Sequence, residues 1–210
     1  MYRRFLVFNG FVGPFVVGAA VGTFFTGSAF TVNHAAMGSA DTLVASPVIS
    51  QWANAWHGLD ALANPWNWVL GLAVFFLARV LGSLYLLSNL RDETLQPRLR
   101  HQLLVDAVPF LVLFLAFVGY VLTATGLRYD PATETFAAEP YLYLHNLLAR
   151  PCVATLFGLG VVFVLVGLFR ALVKKSTKCG IWASGTGTVL TVWAVLLLAG
   201  LNHTAYYPST

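Results

Sequence analysis

Two charges set within apolar sequence are the residues best placed to do chemistry. Arg79 stands in the middle of PWNWVLGLAVFFLARVLGSLYLLSN (65–89), and Asp106 lies near the start of the next apolar run. An ionisable side chain in hydrocarbon is costly, and it marks a proton or substrate path unless a partner neutralises it. At ~1.5 Å per residue, Arg79 lies ~14 Å from the inner end of its helix and Asp106 ~6 Å from the inner end of the next. The two helices form an antiparallel hairpin, and an arginine side chain can reach toward the near interface. An Arg79–Asp106 pair is therefore expected. It is either a functional site or a clasp that fixes two helices or faces a partner subunit.

The histidines argue against redox ligation by this chain. His34, His57, His145 and His203 are expected at or beyond the outer interface and His101 in an inner loop. A bis-histidine haem held between helices needs its ligands at mid-span. Zinc would need a short spacing such as H-x₃-H, which is absent from the sequence. Neither methionine, Met1 or Met37, falls within a span. Cys152 and Cys179 are expected on opposite membrane faces, which excludes a disulfide between them. In PVISQWANAWHGLDALANP (47–65), Trp52, Trp56 and Leu59 recur at i, i+4, i+7 and predict a short helix in the outer interface. Trp56 and His57 beside Asp60 offer a contact for a quinone head group, although interfacial anchoring is the commoner role of such tryptophans. The run GTGT (185–188) resembles a phosphate loop only faintly, since it lies inside a span with no strand before it; helix packing accounts for it better.

The elements that must position these residues are helices. The chain has 210 residues, 58% hydrophobic and 10% charged, with mean hydropathy +0.75. Soluble domains carry ~25% charged residues. Five spans follow, about Phe5–Thr26, Pro65–Ser88, Leu103–Thr125, Pro151–Val173 and Ile181–Leu201, in a single all-α integral membrane domain over 1–210. The formal charge of +4 and pI near 9.3 do not point to nucleic acid, because the basic residues sit beside the spans. Nine of the twelve Lys and Arg fall on one side, and five of the eight acids on the other. By the positive-inside rule the N-terminus is cytoplasmic and the C-terminus outside.

The first apolar run is too long for a secretory h-region of ~7–15 residues and has no clear small-x-small cleavage site. It reads as a retained helix, with Gly18 and Gly22 spaced for close helix contact and Pro14 as a kink. The third span is expected to start near Asp106, with Pro109 just inside it. The loop TGLRYDPATETFAAEPYLYLHN (125–146) turns at Asp130-Pro131, and Pro151 opens the fourth helix.

The segments FNGFVGPFVVGAAVGTFFTGSAFTVN (8–33), PVISQWANAWHGLDALANPWN (47–67), GLAVFFLARVLGSLYLLSNL (71–90) and LLLAGLNHTAYYPST (196–210) resemble subunit II of the cytochrome bd ubiquinol oxidases, in particular the Bacteroides-type branch. The resemblance runs in order through nearly the whole chain and includes interface loops as well as apolar helices. It implies part of the subunit II helical bundle, with further helices expected before Met1 and one after Thr210. It implies a complex in the bacterial inner membrane that oxidises quinol and reduces dioxygen to water. Haem b and haem d are then ligated by subunit I, with none bound by this chain. Subunit II would pack against subunit I and lipid and support proton access. The acids tied to that proton path belong to the helices expected before Met1, so no catalytic residue carries over. Two other classes remain open: a secondary transporter, hinted at by Asn9, Pro14 and Arg79, and a structural membrane scaffold.

Overall fold

The computed structural model describes residues 2–32, 50–90, 92–132, 135–174 and 180–205, the side chain of residue 3 excepted. The expectations for His34, Met37, Asp41, Arg91, Glu134, Lys175, Lys178, Cys179 and residues 206–210 lie outside them. Among the described residues five helices are long and apolar enough to cross a membrane: α1 Tyr2–Thr26, α2 Pro65–Asn89, α3 Gln96–Thr123, α5 Pro151–Leu172 and α6 Gly180–Gly200. A shorter helix, α4 Leu142–Ala149, precedes α5. Three features outside the spans were not anticipated. Strand β1 Phe30–Val32 pairs antiparallel with β2 Ser50–Trp52. A hairpin of β3 Gly126–Asp130 and β4 Thr135–Glu139 carries β5 Thr204–Ala205 on its free edge. The loop after α3 is thus an extended hairpin about the Asp130–Pro131 turn, and α4 replaces the expected direct entry into the fourth span.

Local chemistry explains the helix ends. The Asn64 side chain accepts a hydrogen bond from the Trp66 amide at 3.0 Å and Pro65 opens the first turn, so α2 starts where an N-cap and a proline coincide. Gly27, at φ 83°, ends α1 in the left-handed region that favours glycine. The helix expected over Trp52, Trp56 and Leu59 does not form. Trp52 is committed to β2 opposite Phe30, His57 and Gly58 take positive φ, and only a 3₁₀ turn, Leu59–Ala63, follows. Helix α3 begins at Gln96, ahead of the expected Leu103, because its first turns carry Arg98, Arg100 and His101. Hydropathy marked where the helix enters hydrocarbon rather than where it starts, and Pro109 therefore lies well inside it.

Small residues set the helix pairs. On α1, a Cβ at Gly18 would stand 2.8 Å from the Gly71 Cα, and at Gly22 2.6 Å from the Asn67 Oδ1, so both expected glycines lie at the α1–α2 seam. In the α5–α6 pair, a Cβ at Gly187 would lie 2.6 Å from both the Gly160 oxygen and the Val164 nitrogen. Gly187 of the GTGT run thus serves backbone approach between helices. Two apolar clusters fill the bundle, one around Phe25, Phe117, Tyr143 and Leu198 towards the hairpin end and one around Val80, Leu84, Leu103 and Leu168 towards the α2–α3 turn. A cavity of about 310 Å³, walled by side chains such as Leu70, Phe114, Val161 and Val192, lies where all five long helices approach.

Gly185, one step from Gly187, has nothing within 4 Å of an added Cβ. Gly187→Leu is expected to destabilise the bundle by about 3 kcal/mol, at the upper end of overpacking costs because its neighbours are backbone, while Gly185→Leu stays close to wild type. Thermal unfolding of the two variants in detergent provides the comparison; equal melting temperatures would remove the seam argument.

Candidate functional site

The two membrane charges meet. Arg79 Nε donates to Asp106 Oδ1 at 2.9 Å, and Gln102 Nε2, one turn earlier on α3, donates to Asp106 Oδ2 at 3.0 Å. The Arg79 guanidinium also stands 5.7 Å from the centre of the Phe75 ring, one turn back on α2. The early start of α3 explains the direct contact. Counted from Asn89 and from Gln96, Arg79 and Asp106 each stand ~15 Å from the inner end of their helix. They share one depth, and the expected reach toward the interface is not needed. Exposure is unequal: the Asp106 side chain is 3% exposed and that of Arg79 44%. Chemically the group is a neutral clasp. Both carboxylate oxygens are engaged, and one side of the guanidinium faces out of the bundle.

Two buried amides do comparable work near the opposite end of the bundle, and the sequence reading missed both. Asn67, fully buried, accepts from the Thr26 hydroxyl at 2.8 Å and donates to the Ala61 carbonyl at 2.6 Å. It joins α1, α2 and the 3₁₀ turn. Asn146, also buried, donates to the Leu198 carbonyl at 3.1 Å and to Thr204 Oγ1 at 2.8 Å, and accepts from Asn202 at 3.0 Å. It ties α4 to the end of α6. The available signal was an asparagine inside an apolar helical run, where an unsatisfied amide is costly.

The end of the bundle that carries the β3–β4 hairpin and α4 holds a second ionic group. Glu139 accepts from His145 Nδ1 at 2.7 Å and from Arg128 at 3.1 Å. The hydrogen bond from His145, and then that from Arg128, holds its carboxyl below the ordinary value of 4.5. Of the residues proposed for outer-interface contact, Trp52 lies in β2 and Trp56 and His57 in the turn that follows it. Trp52 and Trp56 are exposed. Trp52 packs its ring beneath Gly58, whose Cβ would meet it at 2.8 Å. Among the described residues His57 has no hydrogen bond to Asp60, and Asp60 Oδ1 is buried without a partner.

The described histidines do not fit a haem. His57, His101, His145 and His203 are all exposed, and none stands in the middle of a membrane-spanning helix. Among the described residues no group of three His, Cys, Asp or Glu side chains is placed to hold a metal ion. Cys152 is exposed at the N-terminal end of α5.

A family profile described as cytochrome bd terminal oxidase subunit II matches residues 1–210. A search of curated proteins returned no match.

Breaking the clasp from one side is expected to cost about 3 kcal/mol, the low end for a buried pair because Arg79 remains half exposed. Arg79→Leu should reduce the amount of folded chain in membranes, and Arg79→Leu with Asp106→Asn should recover part of it. The check is yield and detergent melting across the four-member cycle. A double variant no better than Arg79→Leu alone would show the two residues to be uncoupled.

Proposed function

The chain belongs to the cytochrome bd terminal oxidase subunit II family, and from that membership we propose that it is the subunit without haem of a quinol:oxygen oxidoreductase. The family forms part of a terminal oxidase complex, and membership implies an assembly with subunit I. The observation that carries the reading is the match over residues 1–210 together with a bundle of five membrane-length helices. In this reading subunit I ligates haem b and haem d, quinol is oxidised and dioxygen reduced to water in the complex, and this chain supports assembly and proton access.

What its own residues contribute is scaffold chemistry. Arg79 and Asp106 lock α2 to α3, Asn67 locks α1 to α2, and Asn146 locks α4 to the end of α6. The exposure of the described histidines supports placing the haems in the partner. The complex lies in the bacterial inner membrane, with lipid around the bundle and quinol reaching it through the complex. The N-terminus is cytoplasmic and the C-terminus outside. Support for that orientation comes from Arg4, Arg98, Arg100, Arg170 and Lys174, which gather at one end of the bundle's helices.

Two measurements test this. In the native complex, haem d absorbance in a reduced-minus-oxidised spectrum should follow the tagged chain through purification, while chain freed of subunit I should give no stoichiometric pyridine haemochrome. Stoichiometric haem in the freed chain, or no haem d with the tagged one, would overturn the assignment.

For orientation, single cysteines at 57 and 174 in a cysteine-free background are treated with an impermeant maleimide on intact cells. Position 57 is expected to react and position 174 only after permeabilisation. Labelling of 174 from outside would reverse the topology.

A further inference from the structure

The five long helices pack as two groups. Gly18 and Gly71 close α1 on α2, and the Arg79–Asp106 bond closes α2 on α3. Gly160 and Gly187 close α5 on α6. Between the groups lies the cavity of about 310 Å³. It is elongated along the bundle. Counted from the hairpin end of each helix, its walls begin at Val121 and Leu198, ~3 Å in, and reach Leu77, Phe110 and Val164, ~18–20 Å in.

The lining is apolar apart from Thr188 and Thr191. Their hydroxyls donate to the Ser184 and Gly187 carbonyls of their own helix, each at 2.8 Å, so neither is a free donor. Water finds no partners in such a space; apolar cavities of ~150 Å³ stay dry and accept apolar guests. The lining residues Val17, Leu115, Leu165 and Val192 are exposed, ~12–21 Å in from the hairpin end. The cavity therefore opens sideways, at the depth of hydrocarbon.

Magnitudes decide what fits. A helix ~10 Å across would need more than twice this space over the same length, so a further helix can cover a mouth but cannot fill the interior. A side chain from beyond the rim would reach the mouth and not the length of the cavity. A quinone or phospholipid head group would lie inside it without hydrogen-bond donors. A hydrocarbon chain gives the walls the dispersion contacts that an empty void forfeits. The cavity also ends ~20 Å in, close to the ~15 Å of hydrocarbon that one leaflet contributes. A lipid whose head group stays at the surface reaches that depth with its acyl chain.

Independently of the family reading, we propose that the cavity between the α1–α2–α3 group and the α5–α6 pair is a binding site for one acyl chain of a membrane phospholipid. The chain completes the packing between two groups whose internal seams already close by backbone approach and polar bonds. Its head group stays at the membrane surface at the hairpin end, beyond Val121 and Leu198.

The test uses the tagged chain with its native partners in vesicles of phosphatidylethanolamine and phosphatidylglycerol, a fraction of which carries a diazirine midway along one acyl chain. After illumination, adducts are expected on Val161 and Thr191 as well as on exposed residues such as Val162. Thr191 is 5% exposed and lines the cavity, so an adduct there reports a chain inside the bundle. Adducts confined to the exposed faces overturn the proposal. So does loss of the Thr191 adduct on addition of excess quinone, which would assign the cavity to an isoprenoid tail. Absence of haem d from the same sample overturns the family reading and leaves the labelling result standing.

Filling the cavity gives a second measurement. Val161→Trp is expected to lower the Thr191 adduct about tenfold with the melting temperature unchanged, because its side chain takes the space of the guest. Val162→Trp, at the neighbouring exposed position, leaves that adduct at the wild-type level. An undiminished Thr191 adduct in Val161→Trp would also overturn the site.

Discussion

A guanidinium held midway through a hydrocarbon slab constrains more of this molecule than any other single group. Arg79 needs an acceptor at its own depth, and Asp106 is the group that meets it. For that to happen α3 must begin at Gln96, so that Asp106 climbs as far from the inner end as Arg79 does. Gln102 occupies the second carboxylate oxygen, and Phe75 offers its ring to the cation. Around this clasp Val80, Leu84, Leu103 and Ala107 form the inner core, and the α2–α3 hairpin becomes the part to which the other helices attach.

Two buried amides obey the same rule, that a polar group away from water must find its partner in the protein. Asn67 and Asn146 each satisfy both ends of a buried amide, and each does so by joining separate elements. Beside such bonds, among them that of Ser184 Oγ to the Val164 carbonyl at 3.3 Å across the α5–α6 seam, association rests on close backbone approach. Gly18 against Gly71, and Gly187 against Gly160, leave no space for a side chain. These seams are directional. The first of them holds α1 to α2 as far as Phe11 on Phe75, the last ring contact between the two helices among the described residues.

Much of this was legible in the chain. Apolar length marked all five spans, since hydrocarbon thickness sets a minimum run that composition alone reveals. Asn64-Pro65 located the start of α2, because capping and proline chemistry are local. The Arg79–Asp106 pair was inferred from charge and antiparallel order. The depth of Asp106 was not, because hydropathy cannot separate the start of a helix from its entry into lipid. Trp52 shows the opposite failure: helical spacing was present, but pairing with Phe30 and the positive φ of His57 and Gly58 overrode it.

The sequence by itself therefore determined the number of spans, their order and the presence of a mid-membrane charge pair, because these depend on residue type and linear distance. Tertiary structure decided what depends on distances between elements far apart in the chain. Asn146 acquires its role only when α4 is folded onto the end of α6, and Asn67 only when Thr26 and the 3₁₀ turn close around it. Gly18 meets Gly71 only when α1 lies along α2. None of these is a property of a residue type or a local pattern, since each hydrogen bond or gap is a relation between backbones whose separation packing alone sets.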